Sequence, residues 1–265
     1  MPDGQDGDPY AVWACALAKV DRVFDPPPEL DRPVVGCTYC MPEFELSILG
    51  GDPAAVSDDL LGYFMREVVS HWDADQYPIL WRRLMPRALR SWDPDGPGTD
   101  PSEEISHLGS YGAGLVDWPG PERAAVERAL RVLLAVAVTD GRAVGDITSL
   151  VDGMATATGG LEPWLECIAG LTGPTASAGL VRLAVGWATE ILWEDFRFSW
   201  YDGDPQVVTD WLLTQQDRIA DYAAQHPRCK NAADALTAIA CLRRGEVSPW
   251  LYPYHQRTFV AVIKG

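Results

Sequence analysis

Two cysteines separated by two residues, Cys37 and Cys40, are the residues of this sequence best suited to chemistry. Thiolates at this spacing can bind one zinc ion, or they can close a small disulfide. A complete zinc site needs two further ligands, and the sequence has no second close cysteine pair. His71, or His226 together with Cys229, could supply them if the fold brings them near. The alternative is that both thiols are buried structural side chains, because free cysteine is often part of a core.

Cys40 lies just before the start of a predicted short helix, where the helix dipole is expected to lower the pKa of a thiol. A thioredoxin-type redox role lacks its scaffold, because the pair is not set in a β-α-β unit. The pair therefore predicts a zinc site, a redox pair or structural thiols. Zinc is the candidate cofactor, and a protein without a cofactor is the alternative.

A second candidate site lies where acidic and aromatic residues are close in the second half of the chain. Glu190 and Glu194 are one helical turn apart, Asp195 follows, and Trp193 and Trp200 flank them. Carboxylates near aromatic walls can perform acid–base catalysis, hold a metal or bind a cationic ligand. The segment lacks the Glu-x-x-His pairs of di-iron bundles, and such clusters are often structural. The carboxylates are candidate catalytic residues, and the two tryptophans are candidate binding residues.

Three arginines, Arg83, Arg87 and Arg90, share one face of a predicted helix. A cluster of guanidinium groups can clamp an anion or a carboxylate, because each presents a planar fork of donors. The alternative is a solvated face that balances nearby acids such as Asp73 and Asp75, since single surface pairs usually signify little.

Composition and charge narrow the class of protein. The 265 residues are 47% hydrophobic, which excludes a disordered chain, and they can bury a sizeable core. A formal net charge of −17 argues against nucleic acid or an anionic membrane as partner, because both attract basic surfaces. The acidic start, residues 1–9, lacks the basic stretch of a secretory signal, and no apolar run could span a bilayer. We expect a cytoplasmic protein with reduced thiols.

Apolar residues recur at steps of three and four along most of the chain, which predicts about nine or ten helices joined by short loops. Successive amphipathic helices without a sustained heptad favour an all-α protein of stacked helical hairpins, like an α-solenoid of the HEAT type. We predict a flexible acidic terminus over residues 1–9 and a single helical domain over residues 10–265. The loop 93–101, rich in proline and glycine, is the candidate sub-boundary.

Local signals predict several helix ends. Ser57 is a natural N-cap for a helix that its apolar spacing extends to Trp72. Pro86 is expected to end or kink the helix that carries the arginine cluster. Asp204 and Pro205 form an N-cap and first-turn pair that opens one helix, and Gly245 ends the last one.

The first half of the chain resembles a family of uncharacterised bacterial proteins. The matching segments are Cys37 and Cys40, residues 72–75, residues 84–89, and Trp118 with Pro119 before Glu122. The chain departs from the family pattern at Asp73, where the family has glycine. The resemblance implies helical character, and no activity comes with it.

Charge, aromatic content and the scarcity of catalytic motifs favour an acidic interaction protein that binds a basic protein or peptide, as an adaptor or neutraliser. The alternative is an enzyme or accessory protein of bacterial specialised metabolism. Its pocket would lie near residues 190–200 or at the cysteine pair.

Overall fold

In the computed structural model, which describes residues 9–92, 101–109, 111–193 and 195–246, every regular element is a helix. The all-α prediction is therefore confirmed for this part of the chain. None of the described helices is long and apolar enough to cross a membrane. The α-helices are α1 (Pro9–Val23), α2 (Glu43–Gly50), α3 (Asp58–Arg66), α4 (Tyr77–Ser91), α5 (Ser102–Ser106), α6 (Gly120–Thr139), α7 (Val144–Thr158), α8 (Glu162–Ala169), α9 (Pro174–Leu192), α10 (Pro205–Thr214), α11 (Gln216–Gln225) and α12 (Lys230–Arg244).

The helices group into two compact units that the chain enters more than once. The first unit comprises Met1–Ala137, Gly145–Cys167 and Ser199–Asp202; the second comprises Val138–Val144, Ile168–Phe198 and Gly203–Gly265. A solenoid arrangement within a single domain stays a prediction. Residues 1–8 of the predicted acidic terminus and residues 93–100 of the predicted loop lie outside the described residues.

Aromatic packing between α3 and α4 forms a large part of the core of the first unit. The Phe64 ring lies 5.1 Å from Trp72 and 5.2 Å from Trp81, measured between ring centroids. Tyr77 stacks on Trp72 at 6.0 Å, and Trp81 is fully buried. Burying side chains of this size is the main local source of stability, and it fixes the chain on either side of Trp72.

Helix α3 begins as predicted and ends earlier than predicted. The Ser57 hydroxyl accepts a hydrogen bond from the Leu60 amide at 3.2 Å, which confirms the N-cap. The helix stops at Arg66, because Glu67 is extended, and a short 3-10 turn follows at Val69–His71. The expected continuation to Trp72 is therefore wrong. The break lets Trp72 enter the core while the preceding residue, His71, stays half-buried.

Two other helix ends differ from the prediction, and two agree with it. Helix α4 runs through Pro86 to Ser91, so the proline does not end it, and a kink at Pro86 stays a prediction. The segment after Asp204 forms two helices that meet at Gln215. The Asp204 side chain caps α10 by accepting from the Gln206 amide at 2.8 Å, and Gly245 ends α12 with a φ of 64°.

The second unit is organised around α9, which packs against α10, α11 and α12. Trp187 of α9 is fully buried and lies 5.7 Å from Trp211 and 6.0 Å from Phe196 between ring centroids. A Cβ atom at Gly179 would lie only 2.3 Å from the Val138 carbonyl oxygen. Glycine is therefore required where α9 passes this backbone.

Candidate metal centre

The loop between the two cysteines is a tight turn held by its own backbone. The amides of Cys40 and Met41 donate to the Cys37 carbonyl at 3.1 and 2.9 Å. The Cys37 amide donates to the His71 carbonyl at 2.8 Å, which ties the loop to the turn after α3. Met41 is buried, so the end of the loop is anchored in the core just before α2 begins. These contacts fix where both thiols lie.

His71 reaches this loop from a distant part of the sequence. Its Nδ1 atom lies 3.3 Å from Cys40 Sγ and 2.8 Å from Glu67 Oε1. The ligand atoms of Cys37, Cys40 and His71 all lie within 4.8 Å of one another. The structure thus brings together the three residues that sequence analysis selected as metal ligands.

The spacing of these three ligand atoms suits a tetrahedral ion. Zinc bonded to sulfur and nitrogen at ordinary lengths would place the two ligand atoms about 3.6 Å apart. The 3.3 Å between Cys40 Sγ and His71 Nδ1 is close to that value. All three side chains are half-buried, so an ion could enter from solvent. Two thiolates and one imidazole form a donor set that favours zinc over calcium or magnesium.

The two thiols differ in acidity. The pKa of Cys37 is lowered because the Cys40 amide, the Cys40 thiol and the Tyr39 amide hydrogen-bond to it. The pKa of Cys40 is raised, first by its hydrogen bond to Cys37 and then by burial and nearby negative charge. The expectation that the helix dipole lowers the pKa of Cys40 is therefore wrong. Hydrogen bonds from the Cys40 and Tyr39 amides favour the thiolate form of Cys37 over that of Cys40.

A carboxylate and a phenol support the histidine. Glu67 Oε1 accepts from His71 Nδ1 and, at 3.0 Å, from the Val68 amide. Although burial opposes it, hydrogen bonds from Tyr63, Val68 and His71 lower the pKa of Glu67. The Tyr63 hydroxyl donates to the Cys40 carbonyl at 3.0 Å, and its hydrogen bond to Glu67 raises the pKa of Tyr63 to about 12.

This arrangement does not fit a cysteine–histidine–carboxylate catalytic triad. In a triad one ring nitrogen accepts the nucleophile's proton and the other donates to the carboxylate. Here Cys40 Sγ and Glu67 Oε1 both contact the same atom, His71 Nδ1. If Nδ1 bound a metal ion, Glu67 Oε1 would lie beside the ion rather than at the other ring nitrogen, and it could act as a fourth ligand.

A cavity adjoins the cysteine loop. It has a volume of about 620 Å³ and is lined by the segment that precedes Cys37 and by α2. Its lining includes Val34, Val35, Gly36, Glu43 and Leu46. This size lies within the range of small-molecule or peptide sites.

The three arginines of the predicted clamp bind carbonyl and carboxylate groups of the protein itself. The Arg83 guanidinium is buried and donates to the carbonyls of Pro28, Gly50 and Gly51. Arg87 donates to the carbonyls of Pro53 and Val56 and pairs with Asp58. Arg90 pairs with Asp21. These contacts favour a structural role, although the burial of Arg83 departs from the solvated face that sequence analysis offered as the alternative.

The residues of the second candidate site belong to different units, so the structure does not establish them as one site. Glu190, Trp193 and Asp195 belong to the second unit, whereas Trp200 belongs to the first and its side chain is exposed. Burial and the charge of Asp195 raise the pKa of Glu190. Glu194 lies outside the described residues. The structure therefore shows a half-buried carboxylate with a raised pKa, and the catalytic assignment stays a prediction.

Several residues that organise these regions were not predicted from the sequence. Tyr63, Glu67 and His71 follow one another at intervals of four residues, and this spacing could have identified Tyr63 and Glu67. Asp152 was also missed: it is buried in α7 and accepts from the Ser199 and Tyr201 amides at 2.6 and 2.8 Å. No local sequence signal connects Asp152 with a segment nearly fifty residues away.

Comparison with known proteins identifies no relative of this chain. The chain matches no family model, no curated protein and no solved structure. Any function proposed for the chain therefore rests on the geometry of its own residues.

Proposed function

We propose that this chain is an acidic helical interaction protein that binds a basic protein or peptide at the surface around the cysteine loop. One observation carries the proposal: exposed apolar side chains concentrate in residues 35–68, the part of the chain that contains this loop and leads to His71. Six of the nine large exposed hydrophobic side chains among the described residues come from this part of the chain, namely Val35, Tyr39, Phe44, Ile48, Tyr63 and Val68. Grouped exposure of this kind is typical of a docking surface, whereas single exposed side chains are ordinary.

The exposure is greatest beside the metal ligands. Tyr39, between the two cysteines, is 97% exposed, and Phe44, in the first turn of α2, is 64% exposed. Both rings face solvent at a cost in free energy that a partner would recover by covering them.

Charge favours a basic partner. Exposed acidic side chains lie close to the aromatic residues in sequence, at Asp31, Glu43 and Asp59. The whole chain has a formal net charge of −17, so its field attracts cations and speeds their encounter with this surface.

Zinc at Cys37, Cys40 and His71 completes the proposal. The ion would connect the cysteine loop to the turn after α3 and so hold Tyr39 in a fixed position before the partner arrives. The fourth ligand would be water, Glu67 or a group from the partner. Reduced thiols of this kind are available in the cytoplasm, where we place the protein.

Native mass spectrometry with added Zn²⁺ tests the metal site. The wild type is expected to retain one ion, and the Cys37→Ser and His71→Ala variants are expected to lose it. Cys15→Ser is the matched control, because Cys15 is an exposed thiol outside the cluster. Retention of zinc by both ligand variants, or its equal loss in the control, would contradict the assignment.

An array of short peptides rich in lysine and arginine tests the interaction. Both extended and helix-forming sequences are included, and binding is measured with wild type, Tyr39→Ser and Phe44→Ser. Tyr111→Ser is the matched control, because Tyr111 is 96% exposed in the same unit. We expect the first two variants to bind at least about tenfold more weakly, which is the loss of one buried aromatic anchor. Absence of binding to every basic peptide would refute the proposed function.

A second candidate function is an enzyme or accessory protein of bacterial specialised metabolism acting at the metal site. The observation that favours it is the three-ligand set beside a cavity, since catalytic zinc sites keep one coordination position open. A small organic molecule that copurifies with the wild type, and whose amount falls in His71→Ala, would support this function over the interaction.

A further inference from the structure

Residues 34–36 form a short extended segment, and one of its edges is paired within the chain. Gly36 faces Trp72 in an antiparallel bridge. The Val35 carbonyl accepts from the Asp73 amide at 3.2 Å. This pairing is the only β-bridge among the described residues. The segment therefore forms an isolated bridge in a unit whose described regular elements are helices.

Hydrogen bonds from two further residues hold the same edge of the segment. The Cys37 amide donates to the His71 carbonyl at 2.8 Å. The buried Gln76 side chain accepts from the Val35 amide at 2.8 Å and donates to the Pro33 carbonyl at 3.0 Å. The segment is therefore held rigidly on one side.

The opposite edge of the segment is unpaired. Backbone groups in an extended chain alternate between its two edges, so the amides and carbonyls of Val34 and Gly36 point away from Trp72. Within the described part of the chain, none of these four groups has a hydrogen-bond partner. Unpaired edges of this kind are templates for another strand.

The cavity beside the cysteine loop lies along this segment. Val34 and Gly36 line one part of it, and Glu43, Leu46 and Ser47 of α2 line another. A Cβ atom at Gly36 would lie 2.9 Å from Leu46 Cδ2, so glycine allows α2 to pack closely against the segment.

The charges around the cavity favour a basic occupant. Glu43 is exposed and has no ion-pair partner among residues that the structure describes. Arg32 also lines the cavity, but its guanidinium is bound to Asp73 at 2.9 Å and lies 3.9 Å from Asp31. Exposed Val35 lines the cavity, and exposed Phe44 follows Glu43 at the start of α2.

The geometry points to strand addition: an extended basic segment of a partner protein pairs with the free edge at Val34 and Gly36. This inference rests on the proposed function and specifies its mode of binding. The partner backbone would hydrogen-bond to the four free groups. Its alternate side chains would face Glu43 and the apolar residues, which is how strand addition gains specificity.

A fluorescent heptapeptide of alternating lysine and valine, and versions of it with single N-methylated amides, test the inference by anisotropy. N-methylation removes a donor from one edge of the peptide. A single methyl group on an amide that faces the protein edge is expected to weaken binding by at least about tenfold, and such amides recur at every second position of the peptide. A single methyl group at an intervening position is expected to have little effect. Val34→Pro removes one free amide of the protein and is expected to weaken binding similarly.

Amide hydrogen exchange gives a second readout that does not depend on variants. On binding of the peptide, the amides of Val34 and Gly36 are expected to exchange more slowly. The amides of Val35 and Cys37 should change little, because they are already hydrogen-bonded.

The outcomes separate this inference from the proposed function. If helix-forming basic peptides bind but the heptapeptide does not, strand addition is refuted while the interaction stands. Binding that weakens equally wherever the peptide is methylated would also refute strand addition while the interaction stands. Protection of Val34 and Gly36 in a dimer without peptide would assign the edge to a second copy of the chain and overturn the inference.

Discussion

His71 Nδ1 lies 3.3 Å from Cys40 Sγ, although the two residues are 31 positions apart in sequence. This proximity arises because α3 ends at Arg66 and the following turn is tied to the cysteine loop by backbone hydrogen bonds. It converts a cysteine pair into a three-ligand cluster that can hold a metal ion.

The two thiols should react at different rates with iodoacetamide. At neutral pH we expect Cys37 to be alkylated before Cys40, because the pKa of Cys37 is lowered and that of Cys40 is raised. The difference between the two alkylation rates should become smaller as the pH rises through the pKa of Cys40, because Cys40 then also forms its thiolate. Peptide mapping by mass spectrometry measures both rates, and added zinc should slow both. Faster modification of Cys40 at neutral pH would contradict the hydrogen-bond pattern of the turn.

Replacement of Glu67 by glutamine should weaken zinc binding by at least about tenfold, because it removes a negative charge beside the ion and a candidate fourth ligand. The change keeps the shape of the side chain but removes the charge that faces His71. Competition with a chromophoric chelator gives the affinity. Glu43→Gln is the control, because Glu43 is an exposed acid near the same loop. Equal affinities for Glu67→Gln and the control would exclude this role.

Arg83→Met should lower the free energy of unfolding by about 3 kcal/mol, because it removes a buried guanidinium that donates to the carbonyls of Pro28, Gly50 and Gly51. Arg90→Met removes an exposed ion pair with Asp21 and a hydrogen bond to the Pro86 carbonyl within the same helix, and should cost less than about 1 kcal/mol. Urea denaturation of both variants measures the difference. If Arg83 instead served an external anion, wild type would be stabilised by added carboxylate, and Arg83→Met would remove that effect.

Asp152→Asn tests the contact between α7 and residues 199–201. Burial raises the pKa of Asp152, although hydrogen bonds from three backbone amides oppose the shift. A folded-state pKa above the unfolded value of about 3.9 means that wild type loses stability relative to the asparagine variant as pH rises through the folded pKa. Below the unfolded pKa the relative stability should be constant. Denaturation at a series of pH values measures this difference.

Hydrogen exchange supplies a local readout for the same variant. The amides of Ser199 and Tyr201 donate to the Asp152 carboxylate, so they should exchange faster in Asp152→Asn. Asp202→Asn is the control, because Asp202 is exposed and adjacent to this segment. Unchanged exchange at Ser199 and Tyr201 would show that the carboxylate does not hold the segment.

Signals that act within one or two helical turns were sufficient to predict much of this fold. Apolar periodicity predicted helices throughout the described chain, and the Ser57 cap, the Asp204 cap and the Gly245 end are all present. The spacing of Cys37 and Cys40 also identified a metal-ligand pair. Each of these features depends on neighbouring residues, so sequence alone contains the necessary information.

Tertiary packing decided what sequence could not. Burial of Trp72 against Phe64 and Tyr77 accompanies the turn of the chain after Arg66, and this turn carries His71 to the cysteine loop. The same principle applies to Arg83, whose place on a helix face was evident but whose carbonyl partners come from segments more than thirty residues away. Contacts over such distances depend on how the helices bury their apolar surfaces together, which no local spacing encodes.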